Sequence, residues 1–135
     1  MNILQAINSK LRSSTAIVSL SSNRIYPMIA YDGIKKPYIT FHQISNAPVH
    51  AMETDADINS YRIQVSSWTT SFSGLIALST QIKAALRDFS GTLGTSNFIV
   101  QRIFFDSESD FPEYNSEMNT ITYHRSQDFI VWTTC

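Results

Sequence analysis

The sequence is poor in the residues that interrupt or cross-link a chain. It contains 4 glycines, 4 prolines and a single cysteine among 135 residues, and 16% of its residues are charged. So little glycine and proline excludes a collagen-like or low-complexity chain. The single cysteine, Cys135, cannot form an internal disulfide, so we expect a protein made in a reducing cytoplasm.

An excess of charge of one sign and long apolar runs are also missing. The chain has 10 basic and 11 acidic residues and a net charge of -1. We therefore expect no basic surface of the kind that neutralises nucleic-acid phosphates. No apolar stretch approaches the length that crosses a membrane, and the first residues lack the apolar run of a signal peptide. We therefore expect one compact domain spanning residues 1–135, with 43% hydrophobic residues to build its core.

The spacing of apolar residues predicts two helices. In the first segment, apolar residues recur every three or four positions from Ile3 to Leu11. A second apolar stripe runs from Leu75 to Phe89, with Ser71 or Ser73 as its N-cap and Gly91 as a left-handed C-cap.

Four long strands are predicted around these helices. They are "PYITFHQIS" from Tyr38 to about Ser45, "SYRIQVSSW", "NFIVQRIFF" and a final strand from Asn119 to Trp132, with "NRIYP" as a shorter strand. Residues 46–59 read as a long hairpin loop or extended arm, and residues 106–117 as an acidic loop. The predicted fold class is α+β, an antiparallel sheet of about four long strands with two helices packed on one face.

Two clusters have ligand types that suit metals. Asp106, Glu108, Asp110 and Glu117 fall at positions 1, 3, 5 and 12 of a calcium-loop count. Phe111 stands where that loop needs glycine, and the flanks look like strands, which favours a solvated acidic loop.

The second cluster is "HAMETDAD", with a histidine and three acids from His50 to Asp57. No cysteine or second histidine supports it, which favours a loop that becomes ordered against a partner. His42 and His124 are candidate bases, but no nucleophile motif accompanies them. We therefore predict neither a catalytic site nor a bound cofactor or metal.

The stretch "TYHRSQDFIVW" places charge in the middle of an aromatic strand. Alternation puts Arg125 and Gln127 on one face, and His124, Asp128 and Trp132 on the other. One interpretation is a cross-strand network inside a single subunit. The other is a sheet whose second face meets another subunit, where charged groups set register and specificity.

The chain resembles the tail completion (tail terminator) family of long-tailed bacteriophages and related prophages. The matching features occur in order from about Ile3 to Trp132: the opening helix, "NRIYP", "KPYITFHQIS", "SYRIQVSSWTTSFSGLIALSTQIKAAL", "DFSGTL" and "YHRSQDFIVW". The ordered set carries the resemblance, because no single piece is specific.

The resemblance implies a structural, non-enzymatic protein of the virion, assembled in the host cytoplasm. It implies a homohexameric ring at the head-proximal end of the tail tube, in contact with the tube protein and the head connector, with DNA only passing through the lumen and no membrane partner. Lys35, Lys36, Lys83 and Arg87 are the candidates to line that lumen. The candidate residues for contact between subunits or with partners are Arg62, Gln64, Trp68, Arg125, Gln127, Asp128 and Trp132. The alternative is a small soluble ligand-binding domain, which a stable monomer that takes up a ligand would indicate.

Overall fold

A computed structural model describes residues 3–28, 37–50, 55–93, 98–115 and 120–134. These residues form three helices and seven strands. The elements in chain order are α1 (Ile3–Arg12), α2 (Thr15–Ser21), β1 (Ile25–Pro27), β2 (Tyr38–His50), β3 (Asp55–Thr69), α3 (Phe72–Leu86), β4 (Gly91–Leu93), β5 (Phe98–Asp110), β6 (Glu113–Asn115) and β7 (Thr120–Thr134).

The strands form one mixed sheet in the order β1-β2-β3-β7-β5-β4, and β6 pairs with the beginning of β7. The four predicted long strands are present as β2, β3, β5 and β7, and all pairs among them are antiparallel. The prediction of a purely antiparallel sheet is wrong, because β1 pairs parallel with β2. A three-residue strand such as β1 is too short for its alternation to indicate which neighbour it joins.

The prediction of two helices is also wrong, because α2 is a third. Its sequence "TAIVSLS" is rich in β-branched residues and serine, which are weak helix formers. Local hydrogen bonds and burial compensate: Ser14 caps the N-terminus by accepting from the backbone amide of Ile17, and Ser22 ends the helix in a left-handed conformation. Ile17 is fully buried, so tertiary packing supports the helix.

Helix α3 begins as predicted and ends earlier than predicted. The Ser71 side chain accepts from the amide of Gly74, which confirms Ser71 as N-cap. The helix ends at Leu86, and Asp88 takes the left-handed conformation with φ of 60°. Gly91 is therefore not the C-cap; it opens β4 with φ of 133°.

The helices lie on one face of the sheet, as predicted. The buried side chains of β3 and β7 alternate along each strand and face α1 and α3, while Phe41 and Ile39 extend the same layer onto β2. The other face carries no helix among the described residues, and we call it the open face.

The two predicted polar loops are largely strands. Residues 46–50 and 55–59 continue β2 and β3, so the first segment is an extended arm, and residues 51–54 lie outside the described residues. Residues 106–110 belong to β5 and pair with β7, so the prediction of a loop there is wrong. The polar sequence of residues 106–110 suggests a loop because this end of β5 has few apolar residues that face the core.

Candidate interaction surface

Strand β7 presents its side chains to two different environments, as its alternation predicts. Arg125 points to the helix side, where its guanidinium donates in a fork to both carboxylate oxygens of Asp110 at 2.7 and 3.2 Å. It also donates to the hydroxyl of Ser79 on α3 at 3.1 Å. The hydrogen bonds from Arg125 lower the pKa of Asp110. Arg125 therefore ties β5, β7 and α3 together inside one subunit.

Gln127 is fully buried beneath α3. Its amide nitrogen donates to the carbonyl of Ser79 at 3.2 Å and to a carboxylate oxygen of Glu108 at 3.4 Å. Its Oε1 has no hydrogen-bond partner among the residues that the structure describes. With 0% of its surface exposed, Gln127 has no side-chain surface for a neighbouring molecule in this conformation.

The centre of the open face holds a charged cluster. The guanidinium of Arg62 on β3 donates to Asp128 of β7 at 2.9 Å and to Asp106 at the bulge of β5. Gln64 donates to the second oxygen of Asp128 at 3.2 Å. Hydrogen bonds to Asp106 and Asp128 raise the pKa of Arg62. The sheet thus brings three of the predicted residues, Arg62, Gln64 and Asp128, into direct contact.

One end of the open face carries a row of rings. Trp68 stacks on His124 with centroids 3.6 Å apart, Tyr38 stacks on the other side of Trp68 at 5.7 Å, and Phe111 lies 5.5 Å from His124. The Trp68 indole also donates to the hydroxyl of Thr40 at 3.2 Å. Burial lowers the pKa of His124, against the opposing influence of nearby carboxylates. Trp68 is therefore half-buried in its own subunit.

The other end of the open face is apolar. Trp132 and Ile130 of β7 lie beside Arg102 and Phe104 of β5, and Ile99 lies further along the same face. Ile99 is 52% exposed and Phe104 is 43% exposed, whereas Trp132 is partly buried. We define the apolar patch as Ile99, Phe104, Ile130 and Trp132.

Several of these residues were not identified from the sequence. Asp106 was assigned to a loop, so its contact with Arg62 was not expected. Alternation predicts Ile130 on the face of Trp132, which is confirmed, but it does not indicate that Phe104 lies beside Ile130. The position of Phe104 on the open face follows from the pairing of β5 with β7, and a single sequence does not reveal that pairing.

The metal and catalytic candidates that the structure describes lie beside other groups of the same subunit. No group of three or more histidine, cysteine or acidic side chains that could hold a metal ion occurs among the described residues. Asp106 and Asp110 instead bind arginines. The cluster from residue 50 to 57 has no described side chains. His124 is enclosed by Trp68 and Phe111 and contacts Ser126, and His42 lies opposite Gln64.

Other positions on the chain bear on partners. Lys83 lies on the helix side over the ring of Phe105 at 4.3 Å, Arg87 is exposed, and residues 35–36 lie outside the described ranges. None of the helices within the described residues has the length and apolar character to span a membrane.

The comparisons with known proteins agree with this geometry on the fold. A chain from a structure described as the virion of a native gene transfer agent (GTA) particle matches 98% of this chain and 95% of its own length, with a TM-score of 0.76 and 12% identity. No curated protein matches the sequence. The family model described as tail completion protein gp17 matches residues 5–134. The resemblance seen in the sequence is thereby confirmed, and the chain belongs to the tail completion protein gp17 family, with a structural role in a phage tail.

Proposed function

We propose that this protein is a tail terminator that forms a homohexameric ring at the head-proximal end of the tail tube. The ring ends polymerisation of the tube and joins the tail to the head connector. Its work is assembly rather than catalysis. Family membership supports the tail assignment, and the open face of the sheet supports an assembly that contacts several neighbours.

The proposal rests on a sheet face that no helix among the described residues covers, with charged residues at its centre and apolar residues at one end. Arg62, Gln64 and Asp128 are held in fixed positions by one another, so they meet a neighbour at little additional cost in side-chain entropy. Beside them, the apolar patch exposes Phe104 and Ile99. Exposed apolar residues next to ordered polar groups are a common composition of a protein interface.

A ring needs two different patches on each subunit, because a head-to-tail contact pairs one surface with another. The open face supplies one of them. The beginning of α3 and the β6 region supply a second, where Phe72 is 62% exposed and Tyr114 is 63% exposed. Among the seven candidates, Arg62, Gln64, Trp68, Asp128 and Trp132 lie on the open face, whereas Arg125 and Gln127 support the sheet beneath it.

Passage of DNA through the ring is compatible with the two lumen candidates that the structure describes. Lys83 lies 3.8 Å from a carboxylate oxygen of Glu108, and Arg87 lies 3.7 Å from one of Asp88. Cations that are already paired hold phosphates weakly, so DNA would pass without strong adhesion.

The alternative function, a small ligand-binding domain, is favoured by a pocket of about 200 Å³ beside Phe72, Leu75, Tyr123 and His124. Its volume lies below the range of roughly 300–1,000 Å³ that ligand sites commonly have. We therefore place it second.

Purified tail tubes provide the test. Tagged protein should bind at one end of each tube and stop its elongation, as seen by electron microscopy with gold-labelled antibody. Phe104→Glu should abolish end binding while the protein remains folded. Leu20→Glu is the matched control, since Leu20 on α2 is 37% exposed and lies away from the open face. Binding along the whole tube, or equal loss in both variants, would contradict the proposal.

A further inference from the structure

Within the described residues, the outer edge of β5 pairs with another strand over only part of its length. Strand β4 pairs with β5 only at Phe98–Val100. Ile103 then exchanges two backbone hydrogen bonds with Asp88 and Phe89, at 2.9 and 3.1 Å. From Phe104 to Asp110, no other strand in the described part of the chain pairs with this edge.

The outer edge of β5 is held in a fixed position by its contacts with the rest of the sheet. Its inner side pairs with β7 from Phe104 to Asp110, and arginines secure it on both faces of the sheet. Arg62 binds Asp106 on the open face, and Arg125 binds Asp110 on the helix side. A free edge of a firmly held strand is a template for a further strand, and a strand added here would have to follow the bulge at Asp106.

The edge is also acidic. Within the described residues, the carboxylates on β5 after Ile103 and at the start of β6 are Asp106, Glu108, Asp110 and Glu113, and the cations beside them are Arg62, Lys83 and Arg125. Arg62 is also shared with Asp128 of β7, so negative charge exceeds positive charge here. Glu108 accepts from Gln127 at 3.4 Å and lies 3.8 Å from Lys83, both through the same carboxylate oxygen, so these contacts are long and its second oxygen can accept from another cation. At the end of β5 that pairs with β4, Arg87 and Arg102 both contact Asp88. The acidic part of the edge is therefore the half of β5 after Ile103.

We propose that the free edge of β5, residues 104–110, pairs with an extended segment of another protein that carries lysine or arginine. Main-chain hydrogen bonds would supply the pairing, and the excess carboxylates would select a basic segment. This inference goes beyond the proposed function, because it rests on the sheet edge and not on the ring.

A second copy of this chain fits the edge less well. Two β5 edges placed against each other would bring their own acidic residues together, which is unfavourable. The other long edge, the part of β2 after Phe41, reads "HQISNAPVH", contains no lysine or arginine and includes a proline. Charge complementarity therefore favours a different, basic partner.

The probe is the blocked heptapeptide Lys-Thr-Lys-Val-Lys-Thr-Lys, titrated into the isotopically labelled full chain and followed by NMR. Two comparison peptides replace every lysine by glutamate, or the central valine by proline. The lysine peptide should shift and protect from hydrogen exchange the amides of residues 104–110, and both comparison peptides should bind much more weakly.

A pair of protein variants tests the role of charge. Ser109→Lys adds a cation at the edge and should weaken binding of the lysine peptide about fivefold, the most that one exposed ion pair contributes. Ser19→Lys adds the same charge on α2 and should leave binding unchanged, since both serines are exposed.

Three outcomes would overturn the inference. Equal binding of the valine and proline peptides would show charge attraction without strand pairing, and no binding of any peptide would exclude the site. Protection of the same amides in a self-assembled ring without peptide would assign the edge to a second copy. Ring formation is measured separately by mass, so failure here leaves the proposed function standing.

Discussion

The indole of Trp68 lies flat against the imidazole of His124, with centroids 3.6 Å apart and planes 11° apart. The two residues are direct partners in the register of β3 and β7. Tyr38 and Phe111 close the row on either side. A titratable ring is therefore enclosed between aromatic side chains, where its charged form is poorly solvated.

This enclosure predicts a pH dependence of stability. Burial lowers the pKa of His124 in the folded protein below its ordinary value of 6.5, so the unfolded chain binds the proton more tightly. His124 therefore contributes its full stability above its ordinary pKa of 6.5, and this contribution is lost as the pH falls through the lower pKa that His124 has in the folded protein. His124→Phe keeps a ring in the stack and removes the titration. Urea unfolding from about pH 7.5 to about pH 5.5 should show a smaller loss of unfolding free energy in His124→Phe than in the parent. Identical losses would contradict this role for His124.

Arg62 stabilises the open face mainly through its partly buried partner Asp128. Asp128 has only 16% of its side chain exposed, so Arg62→Ala leaves a half-buried carboxylate with the amide of Gln64 alone. We expect the free energy of unfolding to fall by about 1–3 kcal/mol. Arg102→Ala is the matched control on the same face, because Arg102 and Asp88 are both 56% exposed; it should change stability by less than about 0.5 kcal/mol. Equal effects in urea melts would show that burial of Asp128 is irrelevant.

Helix α3 is held by its apolar stripe. Leu78 is 1% exposed in the main core, whereas Ile76 on the same helix is 36% exposed. Leu78→Ala should lower the free energy of unfolding by about 2–5 kcal/mol, because it leaves a cavity under the helix. Ile76→Ala should cost less than about 1 kcal/mol, since the side chain is already partly in water. Chemical denaturation measures the unfolding free energy of both variants. A small loss in Leu78→Ala would contradict the position of Leu78 in the core.

Gln127 is tolerated in the core because it is neutral and donates two hydrogen bonds. Gln127→Glu would place a carboxylate against the carbonyl of Ser79 and the carboxylate of Glu108, so we expect a loss of about 3 kcal/mol or more. That loss should shrink at low pH, where the new carboxyl is protonated. Gln127→Met keeps the volume and should cost less than about 1.5 kcal/mol. Thermal and urea unfolding of both variants measures these losses. A larger loss of unfolding free energy in Gln127→Met than in Gln127→Glu would contradict this explanation.

The sequence predicts what depends on local periodicity. The alternation around Arg125 and Asp128 correctly assigns each to its face, and the cap at Ser71 follows from its position before an apolar stripe. The contacts of Arg125 and Asp128 agree with the first interpretation of the final strand, a network inside one subunit. Contact of the open face with another subunit stays a prediction.

Non-local effects escaped prediction. The bond between Arg62 and Asp106 joins residues 44 positions apart, and it depends on which strand β5 pairs with. Helix α2 forms against its own propensities because Ile17 is buried, and burial is a property of the finished fold. The site was predictable as a face of a strand but not as a set of contacts.

The most direct test of the central claim is the mass of the purified protein in solution, measured by light scattering over a wide concentration range and then after addition of tail tubes. The account predicts a sixfold multiple of the 15.3 kDa chain, with closed rings visible by negative-stain microscopy, either alone or on tube ends. A strict monomer at every concentration that also fails to form rings on tail tubes would contradict it.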